Sequence, residues 1–144
     1  MEIVSFEIAQ KLKEKGYPQD ITKHNAWYAT EYYKNSCLGE YFEGELTPIG
    51  EYGDKINALH IIEVESKGVV APTISQVLKW LRDEKQIHIY TDIVSAGWVY
   101  NVLINVKKFE DDTWWYNGVK EEGYYDSYEQ AALAGIEYVL DNLI

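Results

Sequence analysis

A chain of 144 residues with 47% hydrophobic and 26% charged residues, ten glycines and three prolines is globular, not disordered, collagen-like or low in complexity. Its longest apolar runs fall well short of the roughly 18 residues of a membrane-spanning helix, and a single cysteine, Cys37, excludes an internal disulfide and a multi-thiolate zinc site. The net charge of −11 is unevenly spread, at 0 over residues 1–39, −6 over 40–66, +3 over 67–109 and −8 over 110–144.

The length predicts one domain over 1–144, with residues 1–70 holding a helix, an aromatic strand and an acidic connection, and residues 71–144 a second run of elements. Ser5 is a predicted N-cap for a helix reaching Lys15, with Gly16 closing it and Pro18 preventing continuation. Ile8, Ala9 and Leu12 form its thin apolar stripe. Aromatics and Thr over 26–33 predict a strand. Four glycines and five acids over 39–54 predict an irregular connection, and residues 57–64 have strand-like content.

Ala71-Pro72-Thr73 is the sharpest boundary, because Pro72 holds Ala71 extended while Thr73 and Gln76 have capping-box spacing. The helix that follows, to Lys85, carries Ile74, Val77, Leu78 and Leu81 on one stripe, with Trp80 on its flank. Residues 87–91 alternate as a strand, Ser95-Ala96-Gly97 turns, and Trp98, Tyr100, Val102, Ile104 and Val106 share one face of a longer strand opposite Asn101 and Asn105. After Glu110-Asp111-Asp112 comes a third strand over 113–116. Ser127 and Gln130 form a second capping box, opening a helix with Ala132, Leu133, Ile136, Val139, Leu140 and Leu143 on one face.

The fold class that results is α+β, an antiparallel sheet covered on one face by helices, with a C-terminal half ordered helix-strand-strand-strand-helix. Double-stranded-RNA-binding domains share this order. The final helix nevertheless opens on Ser127, Tyr128, Glu129 and Gln130 where such a domain presents lysines to phosphate.

Ala71-Pro72-Thr73, Trp80-Leu81-Arg82, Ile87-His88-Ile89, the aromatic hairpin and Ser127-Tyr128-Glu129-Gln130-Ala131 with Leu133 and Gly135 resemble a family of small uncharacterised phage and prophage proteins of gut bacteria. That family's last helix reads S-Y-E-E-A-L-x-x-G, from which this chain departs at Gln130 and Ala132. The resemblance implies a mobile-element origin and an α+β domain, and brings no activity with it.

No motif of catalysis stands out. His24, His60 and His88 lack the spacing of a helical metal pair, Gly50-Glu51-Tyr52-Gly53 lacks the lysine of a phosphate loop, and no serine sits in a nucleophile elbow. The paired acids Asp111-Asp112 and Glu121-Glu122 read as solvated turns, and Cys37 as a small apolar residue. The expectation is a non-enzyme without cofactor or metal, cytoplasmic because Met1–Glu7 resemble no signal or transit peptide, and away from membranes.

The unusual feature is 13 Tyr, 5 Trp and 3 Phe. In a strand adjacent residues face opposite sides, so one of Trp114 and Trp115 is expected outside the core. An aromatic-rich strand surface then predicts a protein partner or self-association. The candidate binding surface is Trp114, Trp115, Tyr116, Trp80, Lys79, Arg82 and Lys85. A nucleic-acid module is the alternative, with Lys79, Arg82, Lys85, Lys107 and Lys108 on phosphates and aromatics under bases, although the net charge disfavours it. A further alternative is an acidic mimic of nucleic acid directed at a host enzyme.

Overall fold

A computed structural model describes residues 2–35, 39–48, 67–119 and 123–144. The expectations for Cys37, His60, residues 57–64, Gly50-Glu51-Tyr52-Gly53 and Glu121-Glu122 lie outside these residues. The chain divides into two compact units, one formed by Ile3–Pro72 and the other by Met1–Glu2 with Thr73–Ile144. Among the described residues no helix is long and apolar enough to cross a membrane.

In the first unit, α1 (Phe6–Glu14) begins where Ser5 Oγ accepts the Ile8 N–H at 3.3 Å and is followed by Gly16 at φ +89°. Ile8, Ala9 and Leu12 are its buried residues. A 3-10 turn (Ile21–Lys23) leads to β1 (Ala26–Ala29), β2 (Tyr33–Asn35), β3 (Gly39–Tyr41), β4 (Leu46–Pro48) and β5 (Gly68–Val70). β1 lies between β4 and β5 in an antiparallel sheet, so all four of its residues are buried, while β2 and β3 form a separate hairpin. Two expectations are corrected. The aromatic strand stops at Ala29, whose N–H and C=O bond Glu45 and Gly44, and restarts at Tyr33. The connection taken as irregular contains β3 and β4, whose Gly-Glu-Tyr and Leu-Thr-Pro are too short to show a period. Trp27, fully buried, anchors this core against Tyr41, with ring centres 5.3 Å apart.

The second unit runs α2 (Ile74–Lys85), β6 (His88–Val94), β7 (Gly97–Lys108), β8 (Trp114–Val119) and α3 (Tyr128–Asn142). The sheet is antiparallel in the order β6-β7-β8; α3 packs on β6 and β7, and α2 on β6 and α3. This is the α+β arrangement and the helix-strand-strand-strand-helix order expected. Both halves of the Thr73–Gln76 capping box are formed. At the Ser127 cap only one half is: Ser127 Oγ accepts from Gln130 N–H, but Gln130 Oε1 accepts from Asp126 N–H rather than from Ser127. Pairing of Ile89 with Val102, Thr91 with Tyr100 and Ile93 with Trp98 places these residues on one face. Against it lie Ala131, Ala132, Gly135, Ile136, Val139 and Leu140 of α3, whereas Leu133 and Leu143, expected inside, are half-buried. The period-2 pattern of β7 breaks after Ile104, where the register with β8 shifts by a bulge and Asn105 takes φ 53°. Asn tolerates that left-handed geometry better than most residues.

Candidate interaction surface

The helix α2 exposes Lys79, Arg82 and Lys85, the three cations singled out from the sequence. Two of them turn to the same acid: Lys79 pairs with Asp83, and Arg82 Nε stands 3.6 Å from it. The Lys79 hydrogen bond is the larger reason that Asp83 lies below the ordinary carboxylate range. Lys85 Nζ lies 5.4 Å from the centre of the Trp80 ring, a cation–π distance. Trp80 itself is only 9% exposed, which corrects its place on the candidate surface. At i+3 from Val77, its indole turns into the core and leaves little area for a base or partner to stack on. On β7, Lys108 is bound to Asp112 at 3.1 Å.

β8 carries Trp114 and Trp115 opposite Lys108 and Lys107 of β7. The side chains of Trp114, Trp115, Tyr116 and Lys107 lie outside the described ones.

The histidines have structural surroundings. His24, buried, has Nε2 3.1 Å from the Tyr17 hydroxyl and Nδ1 2.6 Å from the Asp20 carbonyl. His88 stacks on Tyr90 at 6.1 Å, and burial, then the Arg82 charge, hold its pKa below the usual imidazole value. Among the described residues no cluster of three or more His, Cys, Asp or Glu is placed to hold a metal ion. A cavity of about 180 Å³ opens between Lys85, Ile87, Ile104, Asn105, Leu143 and Ile144. It is smaller than the roughly 300–1,000 Å³ usual for ligand sites.

Exposed apolar surface gathers instead at the end of the β6–β7 hairpin. The two strands are joined through Ser95 and Ala96, with Gly97 at φ +139°. A side chain at Gly97 would place its Cβ 2.9 Å from the Tyr125 carbonyl, so only glycine lets the returning chain come this close. Trp98 and Tyr125 exchange both main-chain hydrogen bonds at 2.8 Å, which brings 124–128 beside the hairpin. The Trp98 and Tyr128 rings meet edge to face at 6.1 Å, and Ile93 sits across from Trp98. Ile93 is 64% and Tyr124 65% exposed, and Val94 and Tyr128 are exposed too. In the other unit Tyr32 and Phe42, both exposed, pack ring to ring at 5.5 Å.

The alternation over 87–91 alone does not reach the hairpin-end strip, because β6 continues beyond Thr91 to Val94. Alternation in His88-Ile89-Tyr90-Thr91-Asp92-Ile93-Val94, leading into a two-residue Ser95-Ala96 loop, was the available signal. No family model, curated protein or solved structure matches the chain.

Proposed function

We propose that the chain is a non-enzymatic binding module that holds a protein partner through the apolar and aromatic strip of Ile93, Trp98, Tyr124 and Tyr128. The observation that supports this reading is the strip itself. Two of its residues are about two-thirds exposed, and they adjoin Trp98, whose main chain is paired with Tyr125, and the Tyr128 ring packed edge to face on it. Rigid Tyr and Trp side chains give a partner large contact area with little rotamer entropy to lose. Ile93 adds exposed aliphatic area beside these rings.

The basic residues of α2 weigh against a nucleic-acid role, since Lys79 and Arg82 are already turned to Asp83 and Trp80 is buried. The double variant Ile93→Asp/Tyr124→Ser, immobilised beside the parent chain in host lysate, tests the proposal. Proteins retained by the parent and lost with the variant, at unchanged circular dichroism, are the expected result. Identical retention by both overturns it. Saturable binding of labelled DNA or RNA that weakens steeply between about 50 and 200 mM salt would favour the nucleic-acid reading instead.

A further inference from the structure

β6 is an end strand of its sheet, and among the described residues no strand pairs with its other side. The main-chain bonds tell which of its residues point outward. Trp98 gives both its N–H and its C=O to Tyr125, so these groups are turned away from β6. Its cross-strand neighbour Ile93 is therefore turned away from β7 as well, because opposed antiparallel residues either exchange both bonds or neither. The register runs unbroken over seven pairs, so Ile89 and Thr91 share this orientation with Ile93. Two other bonds agree with it: Ile87 N–H reaches Leu81 O at 3.0 Å, and Ile93 N–H reaches Asp92 Oδ1 at 2.8 Å, neither of them on β7. The outward groups of Ile89 and Thr91 have no hydrogen-bond partner among the described residues.

Such an edge is a template for a further strand. We infer that its occupant is a second copy of the chain, the two β6 strands pairing antiparallel about a two-fold axis at Thr91. This rests on reading the hairpin end as a contact surface, and it names the partner. Thr91 is the midpoint of β6, so this register overlaps the whole strand. Outward groups then meet outward groups, Thr91 against Thr91 of the second copy and Ile89 against its Ile93. A slip by one residue would set outward groups against inward ones, and a slip by two would shorten the overlap. In the same register Tyr90 lies opposite Asp92 of the second copy, a hydroxyl donor against a carboxylate, and no carboxylate faces its own image.

Charge follows the same direction. The His88 end of β6 adjoins α2, which presents Lys79, Arg82 and Lys85 against Asp83 and Glu84, a net positive end. The hairpin end carries Asp92 and, beside Tyr125 and Tyr128, Asp126 and Glu129. An antiparallel pair sets the cationic end of each copy beside the acidic end of the other. Ile93, Val94 and Tyr90, all exposed, leave water in the process.

Sedimentation velocity on the full chain between about 10 and 500 µM, a span that brackets weak dimers, is paired with amide exchange of Ile89 and Thr91 by NMR. A dimer is expected at the upper end, with exchange at both amides slowing about tenfold or more as it forms. Thr91→Pro should abolish both effects with unchanged circular dichroism, because the N–H it removes takes no part in the β7 ladder. Should Thr91→Pro not fold, Ile93→Lys takes its place as an edge charge on a residue already in water. Three results overturn the inference: a monomer throughout, a dimer untouched by the folded variant, or full protection of both amides in the dilute monomer. A monomer that still retains lysate proteins through Ile93 and Tyr124 sinks only the second copy; loss of that retention as well sinks the contact-surface reading.

Discussion

Gly135 shows how one missing methyl sets the distance between helix and sheet. A Cβ there would come within 2.9 Å of Ile89 Cγ2 and 3.2 Å of the Tyr100 ring. Alanine improves helix propensity by about 1 kcal/mol, but forcing a methyl into a filled contact costs about 1–3 kcal/mol. Gly135→Ala is therefore expected to lower the urea midpoint, a net loss of roughly 1 kcal/mol, whereas propensity alone would raise it. A Cβ at Gly68 in the other unit would likewise run into the Trp27 ring. Tyr17 offers a test by pH. Burial pushes its phenol up to about 12, while an unfolded tyrosine titrates near about 10. The unfolded chain gives up this proton first, so the contribution is intact below about pH 10 and is lost as pH rises toward 12. Denaturant midpoints across that window should fall less steeply for Tyr17→Phe. At neutral pH the same variant loses the hydrogen bond to His24, about 1 kcal/mol.

Among the elements, α2 is closed by a residue poorly suited to its place. Gln86 sits at the C-cap with φ 57°, a left-handed position where glycine is the usual occupant. Gln86→Gly is expected to raise stability by about 0.5–1 kcal/mol, read from thermal or denaturant melts. The sequence showed α2 and α3 well because Thr73 and Ser127 announce their starts and apolar residues recur at helical spacing behind them. The long hairpin was legible in part, as period-2 alternation up to Thr91 and from Trp98 to Ile104, whereas the continuation through Asp92, Ile93 and Val94 was not. Elements of three residues were not: β3 and β4 hold their places through cross-strand bonds to β2 and β1, which leave no local pattern. Nor could spacing reveal that Trp98 bonds Tyr125, the contact that gathers the strip from two distant stretches. Trp80 misled because a tryptophan on a helix flank reads alike whether its ring turns inward or out.

At the scale of the molecule, net charge sets the response to salt. With −11 on each copy, association through β6 works against long-range repulsion that ions screen beyond about 8 Å at physiological strength. The complementary ends of β6 differ by only a few charges while the whole copies repel with −11 each, so raising salt from about 50 to 500 mM should on balance strengthen the dimer in sedimentation, the opposite of phosphate-driven binding. The chain also passes between its two units twice, at Glu2–Ile3 and at Pro72–Thr73. Val4 N–H donates to the Pro72 carbonyl at 3.0 Å, and Ile74 N–H to the Glu2 carbonyl at 3.0 Å. Residues 3–72 thus form a segment closed at its own neck and spliced between Glu2 and Thr73 of the other unit. Because both ends of the splice meet within one hydrogen bond, a different segment with equally close ends could be exchanged for it without lengthening the host module's own chain path.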